Sequence, residues 1–345
     1  MNYIGSKLKL CQSFLPNTIK SVCGNDLSKK TFCDLFAGTG IVGRTFKTSV
    51  KKVISNDVEY YSFVLNKNYI ENHQEIKNKE VFINELNNIT ELKEGFIFEN
   101  YCLGGKFGRQ YFSDFNGKKI DSIRIQIEEL KNSERIDSSL YYFLLCSLLE
   151  SADKVANTAS VYGAFLKSLK KSAQKEMILE SADFEINENE HQVFNEDANY
   201  LIKKIEGDIL YLDPPYNSRQ YGANYHLLNT IAEYKPFEPQ GKTGLRKYSR
   251  SKYCSTSTVK EEFEGLIKNA NFKYIFLSYN NEGLMNCDEV KKIMSKYGHY
   301  DLAKTDYQRF KADSNRYNKA DSTVEYLHIL EKKIICLLKK TERTL

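Results

Sequence analysis

The chain has 345 residues, eight cysteines, five histidines, no tryptophan and a formal net charge of +5. That length accommodates one α/β domain with an insertion, and so small a positive excess neither requires nor excludes a polyanionic partner. No cationic start followed by an apolar core is present, nor any run of 18 or more apolar residues, so a secreted or membrane-spanning chain is set aside and a cytoplasmic one expected. The cysteines form no C-x-x-C and no zinc spacing with histidine, so neither a disulfide framework nor a metal is expected.

Met1-Asn-Tyr-Ile-Gly-Ser-Lys7 opens the chain and leads into a Lys-bearing helix. Residues 31–36, Thr-Phe-Cys-Asp-Leu-Phe, read as a short buried strand, and Ala37-Gly38-Thr39-Gly40 as a tight turn before a helical spacing at 41–46. The glycines let the backbone turn sharply and approach a ligand. A second strand at 53–57 ends in Asp57, roughly 20 residues on, the spacing at which a carboxylate meets ribose hydroxyls in a βαβ unit. The loop lacks both the Gly-x-x-Gly continuation of a dinucleotide fingerprint and the Lys-Ser/Thr of a P-loop. Asp34 and Phe36 instead suit a cationic ligand, of which the sulfonium of S-adenosylmethionine is an example.

A helix is expected over 59–70. From 71 to 180 strand-like alternation fades, and amphipathic helices are expected over 120–130, 139–149 and 162–175. Between the first helices lies a Gly-rich aromatic segment, 101–112, that carries Lys106 and Arg109. Residues 1–70 and 181–345 therefore read as the α/β body and 71–180 as an inserted helical region, which could equally be a plain cap over the sheet.

The sheet resumes at 208–212 and runs into Asp213-Pro214-Pro215-Tyr216. A carboxylate and the carbonyl of a residue without an N–H, fixed at a strand end, offer two acceptors beside an aromatic face. Such a set can grip an NH₂ group on a flat ring: Asp213 takes one hydrogen, the Pro214 carbonyl the other, and Tyr216 stacks. The same tetrapeptide also serves as a turn opener. After a helix over 225–234, Lys242, Arg246, Lys247, Arg250 and Lys252 fall in a stretch without acids that is interleaved with Gly and Tyr. Phosphate contacts suit that composition; a solvated loop is the alternative. A strand at 273–279, a helix at 289–297, a basic segment with Arg309 and Lys311, and a strand at 324–330 complete the chain. Arg309 and Lys311 fit a DNA backbone contact and a solvated hairpin equally well.

In order, Tyr3-x-Gly-Ser-Lys7, Asp34-Leu-Phe-Ala-Gly-Thr-Gly40 and Asp213-Pro-Pro-Tyr216 resemble the Dam-like, D12 class of adenine-specific DNA methyltransferases in the alpha motif order. The resemblance spans nearly the whole chain. It implies a doubly wound, Rossmann-like S-adenosylmethionine-dependent methyltransferase sheet with the 71–180 insertion as target-recognition region. The implied activity is site-specific methyl transfer to the exocyclic amine of a flipped-out adenine in double-stranded DNA. The implied setting is a restriction-modification system with a cognate endonuclease encoded nearby or, alternatively, a solitary enzyme, and a monomer or weak dimer suffices.

The resemblance further implies that Tyr3 and Lys7 lie against the donor near the target base, and that Phe36 with the Gly38/Gly40 loop surrounds the methionine part. Asp57 takes the ribose, and Asp197 of Phe194-Asn-Glu-Asp197 approaches the donor adenine. Asp213 serves donor and target amines alike. Tyr3 departs from the family, whose members often carry Trp there. Two other readings compete: an RNA or protein-glutamine methyltransferase of the same fold, and a non-catalytic DNA-binding specificity module.

Overall fold

A computed structural model describes residues 6–308 and 322–333; Tyr3, Arg309 and Lys311 lie outside them. Among the described residues, seven strands form one sheet in the order β3-β2-β1-β4-β5-β7-β6. The parallel members are β1 (Thr31–Asp34), β2 (Lys52–Asn56), β3 (Gln192–Phe194), β4 (Glu206–Leu212) and β5 (Asn271–Asn280). The last strand, β7 (Ser322–Lys332), inserts between β5 and β6 (Gly298–Gln308), antiparallel to both. This is the doubly wound α/β sheet expected from the sequence.

The apolar runs form central strands because both faces of the sheet are covered. Successive side chains alternate between the faces. Phe32, Ile209, Tyr211 and Phe276 join a core with helices Phe14–Cys23, Ile41–Lys47, Tyr60–Asn66 and His226–Glu233. Cys33, Leu210, Leu212 and Leu277 face the other way, onto helices Val259–Asn269 and Cys287–Met294.

Within 71–180 the helices are Lys79–Asn87, Phe96–Tyr101, Asp114–Asn132 and Ser138–Val155. The last two cover the expected spans at 120–130 and 139–149. Their buried residues, among them Ile123, Leu144 and Leu148, belong to the same core cluster as the sheet, so these helices pack as part of the covering layer. The helix expected at 162–175 is absent; turns and bends occupy that span. Its first half bonds outside the span, Tyr162 N–H to the Asn224 carbonyl and Leu166 N–H to the Asn157 carbonyl, and its second half holds only turn bonds of its own, such as Ala173 N–H to the Lys170 carbonyl. Lys170 N–H donates to the Asn157 side chain. The helix expected over 59–70 begins at Tyr60 and widens to a π turn over Lys67–Glu71. Among the described residues no helix is long and apolar enough to cross a membrane.

Candidate active site

Parallel strands bring Asp34, Asp57, Asp197 and Asp213 to one edge of the sheet, since each follows or closes a strand at its C-terminal end. Open α/β sheets bind ligands at that edge, beside the point where strand order reverses; here it lies between β1 and β4. The turn after β1 uses two left-handed residues, Gly38 (φ 52°) and Gly40 (φ 77°). A Cβ on Gly40 would stand 2.6 Å from Asn66 Oδ1, so the position needs glycine for space as well as for conformation. The Gly38 carbonyl accepts from Asn66 Nδ2 (3.1 Å) and from the Ser62 hydroxyl. Gly38 N–H donates to Asp57 Oδ2 (2.8 Å), and Asp57 Oδ1 accepts from Glu59 N–H (2.9 Å). The loop after the first strand is thus latched to the acid after the second.

These elements line one cavity, together with Lys7, Phe36, Asp197, Pro215, Tyr221 and Tyr253. Asp34 is buried; its Oδ2 accepts from Gly43 N–H (3.1 Å), while Oδ1 has no hydrogen-bond partner. Burial, reinforced by the negative charge of Asp213, pushes the Asp34 carboxyl up to about 8. A buried acid with an unsatisfied oxygen in a cavity rich in carboxylates calls for a cationic ligand group to restore its charge. Phe36 and Tyr253 meet edge to face with ring centres 5.2 Å apart, and the Tyr253 hydroxyl donates to Asn199 Oδ1 (2.7 Å). Asp197 caps helix Ala198–Leu201 through Tyr200 N–H. The donor set thus fits S-adenosylmethionine, with acids for its cationic part and aromatic faces for a flat base.

Asp213 follows directly on β4. Lys7 Nζ lies 3.2 Å from Asp213 Oδ1 and 2.9 Å from Glu325 Oε1, a residue of β7. Burial opposes the Lys7 charge, but the two carboxylates outweigh it and hold the ammonium well above the usual lysine range. Burial also raises Asp213 to about 6, with Lys7 pulling down and Glu325 pushing up. The Tyr216 ring packs edge-on against Tyr279 with centres 6.1 Å apart, and Lys7 Nζ lies 5.6 Å from the Tyr216 ring centre. The sequence did not single out Glu325, Tyr221 or Tyr253; only the aromatic interleaving of the basic stretch hinted at the last.

The basic residues divide. Lys106, Lys242, Lys247 and Arg250 are exposed. Arg246 pairs with Glu233 (2.8 Å) and Lys252 with Glu262 (2.7 Å). Arg109, expected to meet DNA as part of the target-recognition region, is instead buried. Its guanidinium donates to the carbonyls of Asn100 (3.1 Å), Gly241 (3.0 Å) and Lys242 (3.2 Å), which ties the 101–112 segment to the start of the basic stretch. Arg109→Ala is therefore expected to cost about 2–4 kcal/mol by stranding three carbonyls, read as a lowered Tm. The salt slope of DNA binding should stay unchanged; a slope reduced by about one would mean a phosphate contact after all.

The family model for D12 class N6 adenine-specific DNA methyltransferases matches residues 3–295. The chain is 65% identical over 334 residues to the Type II methyltransferase M.NlaIII of Neisseria lactamica, covering 96% of this chain and 99% of that protein. It is 38% identical over 329 residues to M.CviAII of Paramecium bursaria Chlorella virus 1, covering 90% and 93%. To M.FokI of Planomicrobium okeanokoites it is 38% identical over 349 residues, covering 97% of this chain and 53% of that one.

Proposed function

Because this chain belongs to the D12 class of N6 adenine-specific DNA methyltransferases, we propose that the corner formed by Asp213, Lys7 and Tyr216 is where the adenine amine is methylated. The observation that carries this reading is the position of Asp213 directly beyond β4, ion-paired to Lys7, in the same cavity as Asp34 and Asp57. S-adenosylmethionine, the methyl donor, supplies an electrophilic methyl group on a sulfonium. Asp34 would face its cationic part, Asp57 the ribose, and Asp197, Phe36 and Tyr253 the adenine end.

The chain's own contribution is orientation. An exocyclic amine conjugated with a purine ring is a poor nucleophile. Asp213 and the Pro214 carbonyl accept its two hydrogens and favour a pyramidal nitrogen whose lone pair is free. Tyr216 stacks on the base. Proximity and alignment of this kind can contribute about 7–11 kcal/mol to lowering the barrier, more than the roughly 10²–10⁴-fold of general base catalysis. The amine lies inside a duplex, so the base must be extruded first, at a cost of a few kcal/mol that stacking partly offsets.

Exposed Lys106, Lys242, Lys247 and Arg250 are suited to phosphate, and residues 71–180, with their 101–112 segment, to target reading. The names of the relatives, Type II methyltransferases and modification methylases, support a role as the modification half of a restriction-modification pair. A DNA substrate, together with free thiols throughout the described residues, suits the reducing cytoplasm. One chain carries the proposed site, so a monomer suffices. The family match argues against the RNA and protein-glutamine readings, and the convergence of Lys7, Asp34 and Asp213 argues against a non-catalytic module.

Incubation of purified protein with labelled donor and duplex DNA, followed by digestion to nucleosides, tests this. Label is expected in N6-methyl-2′-deoxyadenosine; label on cytosine, on RNA alone or on protein overturns the assignment.

A further inference from the structure

Lys7 is the hub of a buried three-charge cluster in which only Asp213 is accounted for by the reaction. Glu325 is the third member. It sits on β7, in register with Asn280 of β5 and Thr305 of β6, and is 4% exposed, as against 3% for Lys7. Its Oε1 accepts from Lys7 Nζ at 2.9 Å, and its Oε2 is buried without a hydrogen-bond partner. Among the described residues no other donor neutralises this carboxylate, and its charge acts on Lys7. A buried acid costs stability unless it is paired, and nothing in strand pairing demands one here.

We propose that Glu325 is a positioning residue of methyl transfer: it shares the Lys7 ammonium with Asp213, so that Asp213 keeps its oxygens as acceptors for the adenine amine. With Lys7 bound to Asp213 alone, the ammonium would draw electron density from the oxygen that must grip the amine hydrogen. Glu325 divides that pull. It also fixes the Lys7 side chain, whose four rotatable bonds would otherwise leave the ammonium several positions.

The inference rests on the assignment of Asp213 as the amine acceptor. Among the described residues, the ionisable groups facing Asp213 or Lys7 besides Lys7 and Glu325 are Asp34, Cys11, Tyr211, Tyr216 and Tyr221. Burial pushes Asp34 up to about 8 and Cys11 up to about 11, and raises the Tyr211 and Tyr221 phenols, so these stay protonated where Asp213 titrates.

The test compares wild type, Glu325→Gln, Glu325→Asp and Asp213→Asn. It uses single-turnover methylation of duplex DNA across pH, and a ¹³C-NMR titration of the Asp213 carboxyl in the donor-free protein. Loss of the Glu325 charge is expected to lower the acid-limb midpoint and the NMR midpoint together, by about one pH unit, and to slow the plateau rate about tenfold or more. Glu325→Asp should restore the wild-type midpoint. An unmoved or raised midpoint in Glu325→Gln overturns the proposal, even if the rate falls, because a merely structural role would slow the protein without changing the titration. Should Asp213→Asn keep a wild-type rate and acid limb, the Asp213 assignment itself fails. An inactive Asp213→Asn beside an unmoved Glu325→Gln profile sinks the Glu325 role alone.

Discussion

Methyl transfer by Asp213→Ala is expected to fall by about 10³-fold or more, the scale seen when a preorganised polar group at a reacting centre is removed, while DNA affinity stays within a few-fold. The separation follows from where the residue sits. Asp213 is at the tip of β4 inside the cavity, whereas the exposed cations Lys106, Lys242 and Lys247 lie on other loops. The fold should survive, because Lys7 keeps a carboxylate partner in Glu325 at 2.9 Å. The pH dependence has a definite sign. Protonation removes the acceptor oxygen, so wild-type transfer should decline as pH falls through about 6, the range to which burial raises this carboxyl. Rapid-quench single-turnover assays give the rate, and filter binding with cognate duplex gives the affinity. Near-normal turnover by the alanine protein would remove Asp213 from the chemistry.

Asp34→Asn should separate stability from donor binding in opposite directions. The Asp34 carboxyl lies near 4 in an unfolded chain and at about 8 in the fold. The native state therefore binds more protons than the unfolded state between those values. The stabilisation is complete at the acid end and is lost as pH rises toward 8. Asparagine keeps an oxygen for Gly43 N–H and carries no charge to bury. The donor-free variant should consequently be more stable than wild type by a few kcal/mol at pH 8 and nearly equal to it at pH 4, measured by thermal or urea denaturation. Its affinity for S-adenosylmethionine should weaken by about 10-fold or more, the scale of a lost hydrogen bond to a charged group. A variant that binds donor normally would place the cationic part of the ligand elsewhere.

Three of the strands that frame the cavity, β1, β2 and β4, were legible because a parallel sheet covered on both faces imposes continuous apolar runs, as in Ile209-Leu-Tyr-Leu212, and because each ended in or directly before an acid. Strand β3 is three residues long and sits at an edge, so no period could announce it. Strand β6 is also an edge, and its Tyr, Asp, Lys and Thr satisfy a solvated face. Charge type misled at Arg109, since a guanidinium fits a cluster of carbonyls as well as a phosphate. Glu325 was hidden for a related reason. In Val324-Glu-Tyr-Leu-His-Ile-Leu330 it reads as the polar half of an alternating strand, and only a lysine 318 positions away reveals that it points inward. The empty helix at 162–175 shows that helical spacing loses where a buried side chain such as Tyr162 and a hub such as Asn157 bond the backbone elsewhere.

Lys7 precedes the glycine turn and Asp213 in the chain and Glu325 follows them, yet Lys7 and Glu325 are in direct contact. The nascent polypeptide thus carries its glycine turn and its Asp213 tetrapeptide for some time before β7 slots into the gap beside β5. Until then Lys7 has one carboxylate where the finished molecule gives it two. Chain order therefore makes the second carboxylate of this pair conditional on the insertion of β7 into the sheet.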